Sequence, residues 1–206
     1  MRYLREENLI EVSRAGWVQA SRLRDVILPG DIRALLVARL DQLKLEVKDI
    51  VQTASVLGRE FDVDVLTMMS GGSGSTGDLI AEAEKHAIWA VQEGGRYVFT
   101  HALLRDAAYS MQMRARRQEL HRDALAALEK NYAEDLPFHY PELAYHAERG
   151  ELKAKAQELY KLAGKVSADT YRNSQAIDYY SRAYSFTPFD DLKTQFEILS
   201  ERVGIY

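Results

Sequence analysis

The chain has 206 residues, of which 47% are hydrophobic and 28% are charged, and its formal net charge is −4. These values are ordinary for a soluble globular protein, and the negative charge argues against a dedicated nucleic-acid binder. The absence of cysteine excludes disulfides, thiolate zinc sites and cysteine nucleophiles. No apolar run approaches the roughly 18 residues that span a membrane, so we expect a cytoplasmic protein with no membrane contact.

Residues 2 to 12 are predicted to form a short helix, and a turn with a brief strand is predicted near Gly16. The helix has nothing before it to pack against, so residues 1 to 27 are interpreted as the tail of an upstream domain. The chain closes on Ile205 and Tyr206 in an apolar stretch without a cap. We therefore expect both ends to be cut from a longer protein.

Apolar residues at helical spacing predict three helices in the next part of the chain. The first covers residues 28 to 43, with Asp31 as its expected N-cap. The second covers residues 46 to 57 and is expected to stop at Gly58, and the third lies near residues 63 to 69. The apolar side chains expected to enter one core after the second helix are Phe61, Val63, Val65 and Leu66.

Residues 70 to 77 have the sequence SGGSGSTG and contain no apolar residue. Such a composition is typical of a flexible linker. The segment is either a natural glycine-serine loop or an engineered linker that replaces a longer loop, and the sequence does not decide between them. It lacks the Gly-Lys-Ser/Thr ending of a phosphate-binding loop, so no chemistry is assigned to it.

A helix is predicted over residues 78 to 88, followed by strands at 89 to 92 and 96 to 99. The two glycines between the strands indicate a hairpin turn. Three helices followed by a two-stranded wing are typical of a winged-helix domain. We predict such a domain, with its small β-hairpin, over residues 28 to 132.

His101 lies where the second strand gives way to a helix that begins at about Ala102. The N-terminus of a helix attracts phosphate, because its first backbone N–H groups have no partner within the helix. A histidine at such a junction could therefore contact a phosphate group. On the residues alone, a local cap or a packed core group is the more common explanation.

The helix predicted over residues 114 to 132 carries a cluster of basic residues. These are Arg114, Arg116, Arg117 and Arg122, and they lie beside His121. The cluster could face phosphate or DNA, because winged helices often bind DNA. The favoured interpretation is a solvated helix face whose arginines pair with Glu119 and Asp123.

After Pro137 the chain is predicted to be purely helical, with helices at 141 to 149, 152 to 167, 171 to 186 and 190 to 203. Part of this region matches the tetratricopeptide (TPR) pattern, in which small residues let the two helices of a repeat cross closely. The matching residues are Tyr160, Ala163, Gly164, Ala176, Tyr180 and Ala183.

Residues 138 to 206 are accordingly predicted to form an incomplete array of TPR-like helical repeats. Seven tyrosines of this region could line a peptide groove or pack between helices, and packing is favoured. They are Tyr140, Tyr145, Tyr160, Tyr171, Tyr179, Tyr180 and Tyr184. His139 and His146 share a helix face, but no third ligand lies at metal spacing, so no metal site is predicted.

Several segments together resemble one region of the bacterial STAND ATPases. These are large signalling ATPases that include AAA-type ATPases associated with adenylate cyclases and LuxR-type regulators. The resemblance covers residues 28 to 204, and the order of the segments is more specific than any one of them. The segments are LPGDIRALLVARLDQL (28–43), ASVLGREFDVDVL (54–66), YVFTHALLRDAAY (97–109) and the helical stretch 142–184.

In that family a nucleotide-binding core precedes the winged helix and repeats follow it. The resemblance implies that residues 1 to 27 end an ATPase-associated helical domain, and that ATP or ADP binds upstream of this chain. The Phe-x-His-x-Leu run is also similar to the Met-His-Asp motif of related immune ATPases, which makes His101 a candidate sensor of the ADP phosphate. Thr100 and Ala102 depart from that motif, which puts an acidic partner function in doubt.

The implied function is regulatory and non-catalytic. The chain would couple the upstream nucleotide-binding domain to repeats that bind a protein or peptide partner. No paired carboxylates, nucleophile-base set or metal constellation is apparent, so neither an enzyme nor a cofactor is predicted for this chain itself. Two alternatives remain open: a DNA-binding winged-helix transcription regulator, and a plain TPR scaffold. The sequence does not identify the signal, the output domain or the oligomeric state.

Overall fold

The computed structural model of the protein describes residues 30 to 71 and 75 to 205. Within these ranges it contains ten α-helices and three short strands, which confirms the predicted mainly α class. In the same ranges, no helix is long and apolar enough to cross a membrane. The helix predicted at residues 2 to 12, the strand near Gly16 and the tail of residues 1 to 27 lie outside the described residues.

Within the described residues, the first part of the fold contains five α-helices and three short strands. In chain order they are α1 (Gly30–Asp41), α2 (Leu45–Leu57), β1 (Glu60–Asp62), α3 (Val63–Met69), α4 (Thr76–Lys85), β2 (Trp89–Val91), β3 (Arg96–Phe99) and α5 (Ala102–Ser110). The N-cap prediction for Asp31 is wrong, because this residue lies inside α1. Helix α4 begins at Thr76, two residues earlier than predicted, and the Thr76 side chain is buried.

The predicted hairpin is confirmed, and its turn depends on glycine. Gly94 and Gly95 both have φ of 77°, a left-handed conformation that residues with a Cβ rarely adopt. A third strand, β1, was not predicted; it pairs antiparallel with β3 and gives the sheet the order β1-β3-β2. Gly58, with φ of 118°, ends α2 as predicted and leads the chain into β1.

Three aromatic side chains hold the sheet against the helices. The ring of Phe61 lies 5.2 Å from that of Trp89 and 5.8 Å from that of Phe99, and the last two rings are 5.6 Å apart. All three are almost fully buried. The Trp89 indole N–H donates to the carbonyl of Ile80 at 3.1 Å, so its one polar atom is satisfied inside the core.

The second part of the fold consists of helices only. They are α6 (Arg114–Asn131), α7 (Leu136–Arg149), α8 (Lys153–Asp169), α9 (Asn173–Phe186) and α10 (Leu192–Val203). Helix α7 begins earlier than the predicted residue 141, because Pro137 occupies its first turn, where a missing N–H breaks no helical bond. Asp191 caps α10 by accepting from the backbone N–H of Thr194 at 3.1 Å.

Helices α8 and α9 approach each other closely at the small residues that the sequence singled out. A Cβ added to Gly164 would lie 3.0 Å from the ring of Tyr180, which is itself buried. Ala163, Ala176 and Ala183 are also buried along this contact. A glycine at position 164 therefore sets the spacing of the two helices.

The core is divided differently from the prediction, which placed four apolar residues after α2 in one cluster. Phe61 and Leu66 lie in a cluster with the sheet, whereas Val65 packs into a second cluster with residues of α6 to α10. Leu57 contacts both clusters. Helix α3 therefore presents one face to each cluster. The boundaries of the two proposed domains, 28 to 132 and 138 to 206, remain predictions.

We predict that Gly164→Ala destabilises the protein although alanine is the better helix former. The gain in helix propensity is about 1 kcal/mol, whereas crowding a methyl group against a buried ring costs about 1 to 3 kcal/mol. Gly77→Ala is the matched control, because Gly77 lies in α4 with open space around the new Cβ. Thermal unfolding should show a lower Tm for G164A and an equal or higher Tm for G77A. Equal changes in Tm in G164A and G77A would contradict the close approach of α8 and α9 at Gly164.

Candidate functional site

His101 is exposed at the N-cap position of α5 and makes no side-chain cap. The junction is held instead by Thr100, whose hydroxyl donates to the carbonyl of Ala87 at 2.8 Å, and by the Leu104 N–H, which donates to the carbonyl of His101 at 3.0 Å. Both local explanations of His101, a side-chain cap and a packed core group, are therefore wrong. The role of His101 as a phosphate sensor remains a prediction.

The basic cluster of α6 is engaged in contacts within the protein. The Arg114 guanidinium lies 2.8 Å from the Glu151 carboxylate, and Arg116 makes the predicted intrahelical pair with Glu119, also at 2.8 Å. Arg122 donates from Nε to the carbonyl of Gly150 at 2.8 Å. The fourth arginine of the cluster, Arg117, lies over the ring of Tyr109 and has no ion pair within the part of the chain that the structure describes.

Two of these contacts lead from α6 to the end of α7. The bond between Arg114 and Glu151 and the bond between Arg122 and Gly150 flank a buried position on α6, which is occupied by His121. His121 and His146, on α7, are each only 1% exposed. The two residues lie 25 positions apart in the sequence, and no local pattern predicts their pairing.

The two histidines and a tyrosine form a continuous chain of hydrogen bonds. The Tyr109 hydroxyl lies 3.0 Å from Nε2 of His121, and Nδ1 of His121 lies 3.1 Å from Nδ1 of His146. Tyr145 meets both imidazole rings edge-on, at centroid distances of 5.7 and 5.5 Å. We call Tyr109, His121 and His146 the histidine joint, because they connect α5, α6 and α7.

Both imidazoles of the joint are held neutral. Burial lowers the pKa of His121 to about 3, with further contributions from His146 and from the cations Arg149, Arg105 and Arg117. Burial also lowers the pKa of His146 to about 4, helped by Arg105. With both rings neutral, one Nδ1 carries a proton and donates it to the lone pair of the other Nδ1.

The joint is also tied to α2. Arg105 lies over the ring of Tyr109 at 5.0 Å and donates from Nε to the carbonyl of Ser55 at 2.7 Å. Gln112 donates to the carbonyl of Gln52 at 2.9 Å and to the hydroxyl of Ser55 at 3.0 Å. Arg105 therefore links the joint to α2, and Gln112, just after α5, adds a second contact with the same helix.

The sequence does carry a signal for the joint. His121 shares its helix face with Ala124, Leu125 and Leu128, all of which are buried, so it falls on the apolar stripe of α6. The other histidine of α7, His139, does not join the hydrogen-bonded chain; its ring stacks on that of Tyr132 at a centroid distance of 3.6 Å. Among the described residues no group of three or more His, Asp or Glu could hold a metal ion.

The tyrosines of the helical region divide into packed and exposed residues. Tyr160 and Tyr180 are buried between helices, as the packing interpretation requires, whereas Tyr171 is 91% exposed. A separate apolar surface lies on α10, where large side chains recur along one face. This surface, the α10 stripe, consists of Leu192, Phe196, Leu199 and Val203, and it is preceded by the exposed Phe189.

Comparisons with known proteins give little functional information. No protein-family model matches the chain. An uncharacterized protein of Rhizobium meliloti (strain 1021) is 29% identical over 157 residues, a match that covers 71% of this chain and 15% of the relative. The chain therefore corresponds to a small part of that relative's length.

We predict that acidification between pH 7 and pH 5 destabilises the protein through the histidine joint. The unfolded histidines bind protons below their ordinary pKa of 6.5, whereas the folded ones bind them only near pH 4 and below. The contribution of the two neutral histidines to the free energy of unfolding is therefore fully present above pH 6.5. It falls by about 1 kcal/mol per pH unit for each histidine as the pH drops below that value.

Urea unfolding of the wild type and of His146→Gln, measured at pH 7, 6 and 5, tests this explanation. The glutamine keeps a neutral hydrogen-bonding group but does not titrate, so the pH slope should fall to about half, since one of two coupled histidines is gone. The exposed His101→Gln variant is the control and should keep the wild-type slope. If His146→Gln kept the wild-type pH slope, the histidine joint would not be the source of the pH dependence.

Proposed function

We propose that this chain is a non-catalytic regulatory region of a nucleotide-switched signalling ATPase of the STAND class. In this proposal a winged-helix domain is followed by TPR-like repeats, and the ATP- or ADP-binding core belongs to another part of the parent protein. The order of α2, β1, α3, α4, β2 and β3 supports the winged-helix assignment, because β1 pairs with the last strand of the hairpin. The match to a small part of a longer relative is consistent with a region of a larger protein.

The position of His101 supports a sensor role. It follows the wing strand β3 directly, its side chain is exposed, and it stands where the first N–H groups of α5 are unpaired by the helix. An imidazole in this place can contact a phosphate presented by a neighbouring domain without any rearrangement of the core.

The histidine joint supports a coupling role. Helix α5 carries His101 at its N-terminus and Tyr109 in its last turn, and Tyr109 bonds to His121 and through it to His146. A shift of α5 caused by the loss of ADP would therefore act directly on α6 and α7. The repeats would in turn bias the same equilibrium, because coupling between two sites is reciprocal.

We predict that His101→Ala weakens ADP retention in the parent ATPase about tenfold, because a hydrogen bond to a charged phosphate is worth about 1.5 to 3 kcal/mol. Release of fluorescent ADP from the complete protein measures the effect. His86→Ala, which removes another exposed histidine, is the control and should retain ADP normally. Equal release from both variants would exclude the sensor role.

The α10 stripe supports a protein or peptide partner for the repeats. Phe196 is 74% exposed and Leu192 is 70% exposed, while Ile198 on the opposite face of the same helix is fully buried. An amphipathic helix with large side chains on both faces is suited to packing on both sides. A partner with an apolar helical surface could cover the outer face.

We predict that Phe196→Ser and Ile198→Ser differ strongly in their effect on stability. The first should change the free energy of unfolding by about 0.5 kcal/mol or less, as for other surface positions, whereas the second should cost about 2 to 5 kcal/mol. Chemical denaturation measures both. Tyr171→Ser, at another exposed aromatic residue, is the control and should behave like Phe196→Ser. A large loss in Phe196→Ser would mean that the stripe is already covered within this chain.

A further inference from the structure

A cavity of about 410 Å³ opens beside the histidine joint, between the first turns of α6 and the end of α7. Tyr109 and His121 line it, so one wall is the joint itself. Three arginines line it as well, namely Arg114, Arg117 and Arg149. Its volume lies within the range of roughly 300 to 1,000 Å³ that is typical of small-molecule sites.

The two carboxylates of this cavity are already occupied. Glu151 accepts from Arg114 at 2.8 Å and from Gln118 at 3.3 Å. Glu148 accepts from the Tyr160 hydroxyl at 2.5 Å, and this bond draws the carboxylate toward α8. Among the described residues these carboxylates pair with Arg114 and Arg182, and neither forms an ion pair with the remaining cations of the cavity.

Arg117 and Arg149 are those remaining cations. Arg117 lies over the ring of Tyr109 at 5.1 Å, and Arg149 lies over the ring of Tyr145 at 5.4 Å. Throughout residues 30–71 and 75–205, neither guanidinium has a carboxylate within 4.0 Å or an acceptor for its N–H groups. The aromatic rings contact the two side chains, whose hydrogen-bond donors meet no acceptor among the described residues.

We propose that this cavity binds a small phosphate-bearing anion through Arg117 and Arg149. Guanidinium groups present planar pairs of N–H donors that match the oxygens of a phosphate group, and two of them can neutralise a multivalent anion. Arg114, which is paired with Glu151, lines the same cavity, and Tyr109 and His121 form the wall next to the joint. This site needs neither the upstream ATPase nor the nucleotide switch proposed above.

Binding of an anion would also change the pKa of His121. The charged and titratable groups around its ring come from three helices: Arg105 and Tyr109 on α5, Arg117 on α6, and Tyr145, His146 and Arg149 on α7. An anion on Arg117 and Arg149 screens two of the cations that disfavour protonation of His121. Anion binding should therefore raise the pKa of His121.

Titration of the purified chain with inorganic pyrophosphate tests the proposal, with calorimetry for affinity and the NMR signal of the His121 ring for location. We expect saturable binding that shifts the His121 signal. Arg117→Gln and Arg149→Gln should each weaken binding about tenfold or more, the effect of losing a charge-assisted hydrogen bond. Arg33→Gln, which removes an exposed charge on α1, is the control and should bind normally. If Arg117→Gln fails to fold, Arg117→Lys, which keeps the charge, replaces it in the titration.

Three outcomes would overturn the assignment. The first is the absence of saturable binding at millimolar pyrophosphate. The second is equal weakening in Arg33→Gln and in the cavity variants, which would indicate a general charge effect. The third is binding of citrate as tight as that of pyrophosphate, which would remove the preference for phosphate.

Discussion

The hydrogen bond between Nδ1 of His121 and Nδ1 of His146 imposes a constraint on everything around it. Two imidazole nitrogens at 3.1 Å can share only one proton, so at most one ring could be charged. Burial lowers the pKa of both histidines and keeps both rings neutral, with complementary tautomers. Both rings are almost fully buried, and a polar group left without its partner in such a place costs about 1 to 3 kcal/mol. The relative positions of α6 and α7 are therefore fixed by a bond that tolerates little displacement.

The same constraint extends to the sheet-bearing part of the fold. Tyr109 brings the last turn of α5 to His121, and Arg105, one turn earlier in the same helix, bonds to the backbone of α2 at Ser55. Apolar packing alone would leave the helices freer to shift along one another, because the hydrophobic interaction is not directional. Hydrogen bonds with defined donors and acceptors select one arrangement. Leu57 thus packs against both apolar clusters, and the joint orients the helices that carry them.

Much of the secondary structure could be predicted, because its causes are local. Apolar spacing located α2 and α3 almost to the residue, and paired glycines located the hairpin. Strand β1 was missed because three residues carry no periodicity, and its pairing partner lies far along the chain. The early start of α7 was missed because Pro137 was taken as a boundary, although the first turn of a helix accepts proline.

The candidate site was harder to predict, because its members are brought together only by tertiary packing. His121 and His146 lie on different helices, and neither has a local motif. His101 does have one, a strand followed by a helix, and the sequence placed it correctly at that junction. Whether its side chain was buried or exposed depended on Thr100, which holds the junction without help from the imidazole.

Stability is distributed unevenly along the helical region, and this bears on where a partner could act. Helix α8 has six buried residues, whereas α10 has only Ile198. Helix α10 is further held by an ion pair between Lys161 and Glu197 that is largely open to solvent, and such pairs contribute little. Elements with few buried contacts open most readily. A partner bound to the α10 stripe would therefore stabilise the least stable helix of the array, whereas an anion in the cavity would act beside the most constrained part of the molecule.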